Sequence, residues 1–276
     1  MLDAAQIEKL KSLAKTIRVD ILTMLNKSGS GHTGGSLSAV DILVSLYFYK
    51  MRHNPQNPKW SDRDRFVLSK GHGAPALYAV LARSGYFDLS ELMNLRKLGS
   101  ILQGHPDMKV TPGVDVSTGS LGQGLSMANG MALALKLDKR PSRVYALMGD
   151  GENQEGQIWE AAMAAAHYKL DNVCGIIDHN GLQIDGPVNE IMKIEPIAQK
   201  WASFRWEVFQ VNGHDFQEII SALDKAETVK NKPSLIVANT VKGKGVSFFE
   251  NKVEYHGVAP TNEELKKALI EIGVES

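Results

Sequence analysis

The chain has 276 residues, 43% of them hydrophobic and 22% charged, enough for one large α/β core without disulfide staples. Its 31 Lys and Arg balance its 31 Asp and Glu, which gives no argument for nucleic acid, a membrane surface or a polyanionic partner. The single cysteine, Cys174 in the apolar run NVCGII, excludes an internal disulfide framework and reads as a packed core thiol in a cytoplasmic protein.

Residues 3–27 space Ile7, Leu10, Leu13, Ala14, Ile17, Ile21, Leu22 and Leu25 as one face of an amphipathic helix, with no apolar stretch of signal or membrane-spanning type. A Gly/Ser loop, SGSGHTGG, leads to a helix beginning near Ser36, so the first 60 residues form an all-helical flank. Then come a strand at 65–69, a Gly-rich turn with an Ala/Leu helix, a turn-rich stretch at 99–116, and a second Gly-rich loop running into a long helix. Strand 143–148, helix 155–168, strand 173–178, a variable region, strand 206–211, helix 215–230, strand 234–240 and helix 262–272 complete the chain. Short strands, apolar on both faces and alternating with helices, predict a doubly wound, mainly parallel sheet covered by helices on both faces. No repeat or linker divides residues 1–276, so a single domain is expected.

In open α/β sheets, ligands bind beyond the carboxyl ends of the strands, where loops and helix N-termini expose backbone N–H groups. Four such ends combine glycine with a potential ligand group: Lys70-Gly71-His72-Gly73, Gly149-Asp150-Gly151, His179-Asn180-Gly181-Leu182 and Thr240-Val241-Lys242-Gly243-Lys244-Gly245. A glycine-fenced aspartate is also ordinary turn chemistry. Asn180 makes the difference, because thirty positions is one strand, helix and strand, and a right-handed crossover sets Asp150 and Asn180 at neighbouring strand ends. A carboxylate, an amide oxygen and the Leu182 carbonyl form an oxygen-only set that suits Mg²⁺ completed by phosphate oxygens, not Zn²⁺. The loop Gly119-Ser120-Leu121-Gly122-Gln123-Gly124 is a further anion cradle, but it is neither a Walker A loop nor a dinucleotide fingerprint.

Four of the eight histidines stand in Gly-flanked loops: His32, His72, His105 and His256. A neutral imidazole in such a loop can approach a ligand closely and exchange protons with hydroxyls near neutral pH. Their separation in sequence disfavours a metal cluster. His53, His167 and His214 read as structural, and His179 is ambiguous.

The motif Gly149-Asp150-Gly151, with Asn180 after 28 further residues, is similar to the thiamine diphosphate motif. Together with SGHTGGSLS, LSKGHGAPALYA, QGHPD, STGSLGQGLSMANGMA and YHGVAP, it resembles the diphosphate-binding N-terminal domain of transketolases over nearly the whole chain. The resemblance implies that Asp150, Asn180 and the Leu182 carbonyl ligate Mg²⁺, for which Ca²⁺ or Mn²⁺ can substitute. It implies cofactor contacts from His72, Gly119, Leu121, Gly151, Asn180, Lys242 and His256, and proton transfer at the sugar hydroxyls by His32, His105 and His256. The implied reaction moves a two-carbon glycolaldehyde unit from a ketose phosphate to an aldose phosphate, with thiamine diphosphate as electron sink. Glu155 falls where the family has an acid at the subunit contact.

Two departures touch substrate-facing positions: Thr33 stands where the usual motif has Pro, and Val258 where some members have Lys. The pyrimidine-binding domain of ordinary transketolases has no counterpart here, so the resemblance implies one subunit of a split enzyme. The expected partner is a separate C-terminal-type subunit, in a heterotetramer with two copies of each chain. The alternatives are a truncated fragment, a subunit of a decarboxylating enzyme (1-deoxyxylulose-5-phosphate synthase or 2-oxoacid dehydrogenase α type), and a non-catalytic Mg²⁺/diphosphate module.

Overall fold

The structure, a computed structural model, describes residues 2–273, so the expected domain limits at Met1 and Ser276 lie outside the described residues. In chain order the elements are α1 (Ala4–Ser28), α2 (Thr33–Ser38), α3 (Val40–Ser45), β1 (Arg65–Leu68), α4 (Ala74–Arg83), α5 (Gln123–Leu137), β2 (Val144–Gly149), α6 (Gly156–His167) and β3 (Val173–His179). There follow β4 (Leu182–Gln183), β5 (Gly186–Pro187), α7 (Val188–Ile191), α8 (Ile197–Ser203), β6 (Glu207–Asn212), α9 (Phe216–Thr228), β7 (Ser234–Asn239) and α10 (Asn262–Ile272). Among the described residues no helix is long and apolar enough to cross a membrane.

Five strands form one parallel sheet in the order β1-β2-β3-β7-β6, and β4 and β5 form a small antiparallel pair. The period-2 alternation of the strands builds two separate cores. Tyr145 and Leu147 of β2, Cys174 and Ile176 of β3, and Ile236 and Ala238 of β7 face α1, α3, α4 and α9. Val144, Ala146 and Met148, with Val173, Ile177, Leu235 and Val237, face α5, α6 and α8. This is the expected doubly wound architecture. The N-terminal helices belong to the first core, since Ile17, Ile21, Leu25, Ile42 and Leu43 are fully buried in it.

The strand order also fixes where a site can form. The chain steps from β1 to β2 to β3 in one direction, then restarts at the far edge with β6 and returns through β7. Connections therefore leave the sheet on opposite faces either side of the β3–β7 boundary, opening a crevice at the carboxyl ends of those strands.

One helix start differs from expectation: α2 begins at Thr33, with His32 as N-cap, and carries Gly34 and Gly35 inside it. Glycine is costly in a helix, but a Cβ on Gly34 would lie 2.9 Å from Lys242 Cγ, and one on Gly35 would lie 3.4 Å from His72 Nε2. The helix accepts two glycines so that two site side chains can cross it.

Candidate active site

Asp150 follows β2 directly and is 2% exposed. Its Oδ1 accepts from Gly151 N at 2.7 Å and its Oδ2 from Gly181 N at 2.5 Å, so the carboxylate ties the β2 end to the β3 end. Burial pushes its pKa up, opposed in part by those two N–H donors. The turn after it is braced from below: Asn153 donates to Gly149 O (2.7 Å) and accepts from the indoles of Trp159 and Trp201. Asn180 Oδ1 accepts one bond from Leu182 N at 3.2 Å, and the Leu182 carbonyl accepts from Lys242 Nζ at 3.0 Å. Asp150, the 180–182 loop and Lys242 are thus contiguous. Among the described residues no three His, Cys, Asp or Glu side chains converge as a metal-binding group. A cation at Asp150 would therefore need the Asn180 and Leu182 oxygens together with oxygens of water or ligand.

Lys242, 2% exposed, also donates to His256 Nδ1 at 2.7 Å. Burial, and then Lys70 nearby, lower its pKa to about 8, which leaves it mainly cationic at neutral pH. A cationic donor at Nδ1 makes that nitrogen the acceptor, so the proton of a neutral His256 resides on Nε2. His256 is one of three rings that meet: His32 and His72 have centroids 5.2 Å apart, His32 and His256 5.6 Å, and His72 and His256 5.3 Å. Desolvation is the largest cause depressing all three, followed by nearby cations: His32 falls to about 4, His256 to about 3, and His72 well below its ordinary value. Among the described residues His32 Nδ1 is buried without a hydrogen-bond partner.

His105 is the most exposed of the four, with a lowered pKa caused by desolvation and then Arg96. Gly119 draws it in: at φ +154° its own Cβ position would lie 3.1 Å from His105 Cγ, while a Cβ on Gly71 would lie 2.8 Å from Gly119 N. The 119–124 loop therefore packs between His105 and the turn bearing His72. Leu121 is half-buried in this loop, and a Cβ on Gly151 would meet Gln183 Cβ at 3.2 Å. Asp150, Asn180, Leu182, Lys242, His256, His32 and His72 thus form one contiguous group, with Gly151 beside Asp150 and Gly119, in the loop that also carries Leu121, against His105. Glu155 is exposed beside Gly122 and, among the described residues, makes no side-chain hydrogen bond.

Two supporting groups escaped sequence reasoning, the Lys70–Asp178 pair and Glu152. Lys70 forms a buried ion pair with Asp178 and donates to Gly35 O at 2.8 Å; Asp178 also accepts from Ser38 Oγ (2.6 Å) and Thr240 Oγ1. Burial alone would raise the Asp178 carboxyl, but Lys70 together with the Ser38 and Thr240 hydroxyls holds the pKa below the ordinary value. Glu152, 3% exposed, accepts from Ser69 Oγ, Gly122 N (2.9 Å) and Gly149 N (2.9 Å), fastening the Gly-rich loop to two strand ends. His214, expected to be structural, bridges Asp41 Oδ2 (2.7 Å) and Val241 N (2.8 Å) and so steadies the backbone next to Lys242. His179 turns away to Asn239 (2.9 Å) and Glu195 (2.8 Å). A cleft of about 680 Å³ along β6 and α9, lined by residues such as Val208, Phe209 and Ile220, lies away from all these groups and gathers no comparable chemistry.

The Asp150, Asn180 and Leu182 oxygens suit a bound cation, and the Lys242 ammonium beside them suits a phosphate-bearing ligand. The family model "Transketolase, thiamine diphosphate binding domain" matches residues 9–276. The chain is 48% identical over 266 residues to the 6-deoxy-6-sulfo-D-fructose transketolase subunit SqwG of a Clostridium species, covering 96% of this chain and 97% of that one. It is 43% identical to one of the subunits of the apulose-4-phosphate transketolase of Phocaeicola vulgatus, covering 97% of this chain and 95% of that one. The crystal structure of Campylobacter jejuni transketolase superposes with a TM-score of 0.92 at 38% identity over 98% of this chain, yet this chain spans only 43% of that one. The fold, the crevice and these likenesses agree, and the chain belongs to the transketolase family through its thiamine diphosphate-binding domain.

Proposed function

We propose that the chain is the diphosphate-binding subunit of a two-chain transketolase that moves a two-carbon ketol unit from a ketose to an aldose, each bearing a terminal phosphate or comparable anion. The observation that carries this reading is the meeting of His32, His72 and His256 beside Lys242 and the Asp150–Gly181 junction. Asp150, Asn180 and the Leu182 carbonyl would hold Mg²⁺, and Lys242, His72, Gly119, Leu121 and Gly151 would line the cofactor diphosphate. Bound thiamine diphosphate would supply the nucleophilic carbon and the electron sink that cleavage of a C–C bond next to a carbonyl requires. The chain's own part is proton handling and orientation. His32 and His105, kept neutral by desolvation, can accept a proton from one sugar hydroxyl and return it to another, while His256 acts as a hydrogen-bond donor. Lys242 fixes the His256 tautomer so that Nε2–H is the donor offered to a hydroxyl oxygen.

A separate partner subunit is supported by relatives of matching length that are themselves named subunits; the proposal adds that this partner is the pyrimidine-domain chain, in a heterotetramer with two copies of each. Those relatives are named for a sulfonated ketose and for apulose 4-phosphate, so the donor panel must extend beyond the ketoses of the pentose phosphate pathway. A cytoplasmic setting fits the single, fully buried thiol of Cys174. The test is reconstitution with a pyrimidine-domain transketolase subunit, Mg²⁺ and thiamine diphosphate. Transfer from at least one phosphorylated or sulfonated ketose to an aldose is expected, with none from either chain alone. Release of CO₂ from pyruvate without ketol transfer would assign the pair to a decarboxylating class instead.

A further inference from the structure

The residue in the first histidine motif that departs from the usual pattern makes a contact that proline could not. Thr33 is fully buried, and its Oγ1 donates to the backbone carbonyl of Val258 at 2.6 Å. Among the described residues this is the only side-chain hydrogen bond that reaches the backbone of residues 256–259; the next anchor is Asn26 Nδ2 on Pro260 O at 3.0 Å. The bond spans the two loops that carry His32 and His256, whose rings lie 5.6 Å apart. A Cβ on Gly257 would come within 3.8 Å of His32 Nε2, so the 256–258 backbone forms one wall of the His32 position.

The His32 side is held at several points, whereas among the described residues one side-chain hydrogen bond holds the 257–258 backbone. His32 caps α2, its carbonyl accepts from Ser36 Oγ at 2.6 Å, and Gly34 O accepts from Gly243 N at 3.0 Å. Gly257 and Val258, by contrast, are exposed. Proline suits the first position of a helix because its fixed φ is preorganised and its missing N–H is unneeded there, but it offers no donor to a neighbouring loop. Threonine forgoes that preorganisation and supplies a hydroxyl.

We propose that Thr33 is a positioning residue that sets the spacing of His32 and His256, and with it the fit of the donor sugar, by tying the 256–258 loop to the start of α2. The inference rests on the ketol-transfer reading for its kinetic consequence, but not for its structural one. The comparison is wild type, Thr33→Val, which keeps the shape and removes the donor, and Thr33→Ser, which keeps the donor. In the isolated chain, the imidazole ¹⁵N resonances of His32 and His256 should shift or broaden in Thr33→Val and not in Thr33→Ser, with those of His53 unchanged in both. In the reconstituted pair, Thr33→Val should raise the donor KM about five-fold with kcat and cofactor affinity within two-fold of wild type, and Thr33→Ser should restore the KM. Unaltered imidazole resonances and donor KM in Thr33→Val would overturn the inference. Altered resonances in a chain whose wild-type pair transfers no ketol unit would uphold the tether and refute the proposed function.

Discussion

His32, His72 and His256 are held uncharged by burial first and by neighbouring cations second, and this makes the acid stability of the chain a property of named residues. An unfolded histidine protonates near pH 6.5. In the fold His32 does so only at about 4 and His256 at about 3. Between those values the unfolded chain binds more protons than the folded one, so stability falls as pH drops from about 6.5 towards 4. Asp150 and Glu152, whose carboxyls burial pushes up, act in the opposite sense above their unfolded values of about 4. The urea midpoint should therefore decline between pH 6.5 and 5, and more gently in His32→Asn than in wild type; equal slopes would show that His32 carries no share. Asp150 yields a second expectation. Asp150→Ala should weaken Mg²⁺-dependent thiamine diphosphate binding at least 100-fold, read by calorimetric titration, with the circular dichroism spectrum retained. These residues were legible because each stands beside glycine at a strand end or loop. The pairing of Lys70 with Asp178 was not, since 108 positions separate them and only the fold brings them together.

At the level of elements, the Gly119–Gly124 loop has little of its own to hold it, and Glu152 holds it instead. Gly122 has φ +84°, and its Cβ position lies 2.7 Å from Glu155 Cβ, so no other residue fits there without displacement. Its N–H is one of three donors that Glu152 gathers from separate segments. Removing the carboxylate leaves those buried donors unpaired, which costs about 3 kcal/mol in Glu152→Ala and about 2 kcal/mol in Glu152→Gln, where an amide N–H₂ replaces one accepting oxygen. Chemical denaturation compares the two, and a loss below about 1 kcal/mol in Glu152→Ala would mean that water replaces the carboxylate. The strands were readable within about a residue, because in β1, β2, β3 and β7 burial on both faces selects continuous apolar runs. The β4–β5 pair, α7 and α8 were not, since that stretch lacks a sustained period. The start of α2 was hidden for another reason: Gly34 and Gly35 read as loop, whereas the crossing of Lys242 and His72 requires glycine within a helix. Glu152 was missed because an acid after a strand looks like ordinary helix-start chemistry.

For the whole molecule, the decisive feature is the edge that this chain leaves uncovered. The proposed site lies along one edge of the sheet, with His105, Gly181, Gly257 and Val258 exposed. Beside the 180–182 loop, Ile184 (62% exposed), Ile191 (44%) and Met192 (61%) present apolar side chains to solvent next to the proposed metal ligands. A pyrimidine-domain partner seated over this edge would bury the apolar side chains and close the cofactor between two walls. Cofactor and partner would then each favour the same assembled state, and linkage requires that each strengthen the other's binding by the same factor. The expected outcome is that a saturating partner lowers the apparent Kd for thiamine diphosphate, at fixed Mg²⁺, at least ten-fold. Saturating cofactor should then lower the Kd between the two chains by an equal ratio. Isothermal titration in both orders measures the two ratios. An Ile184→Asp/Met192→Asp variant tests the location, because it should weaken association of the two chains while leaving cofactor binding to the isolated chain unchanged. Cofactor affinity indifferent to the partner would mean that this chain alone forms the complete binding site, and the shared-site reading would fail.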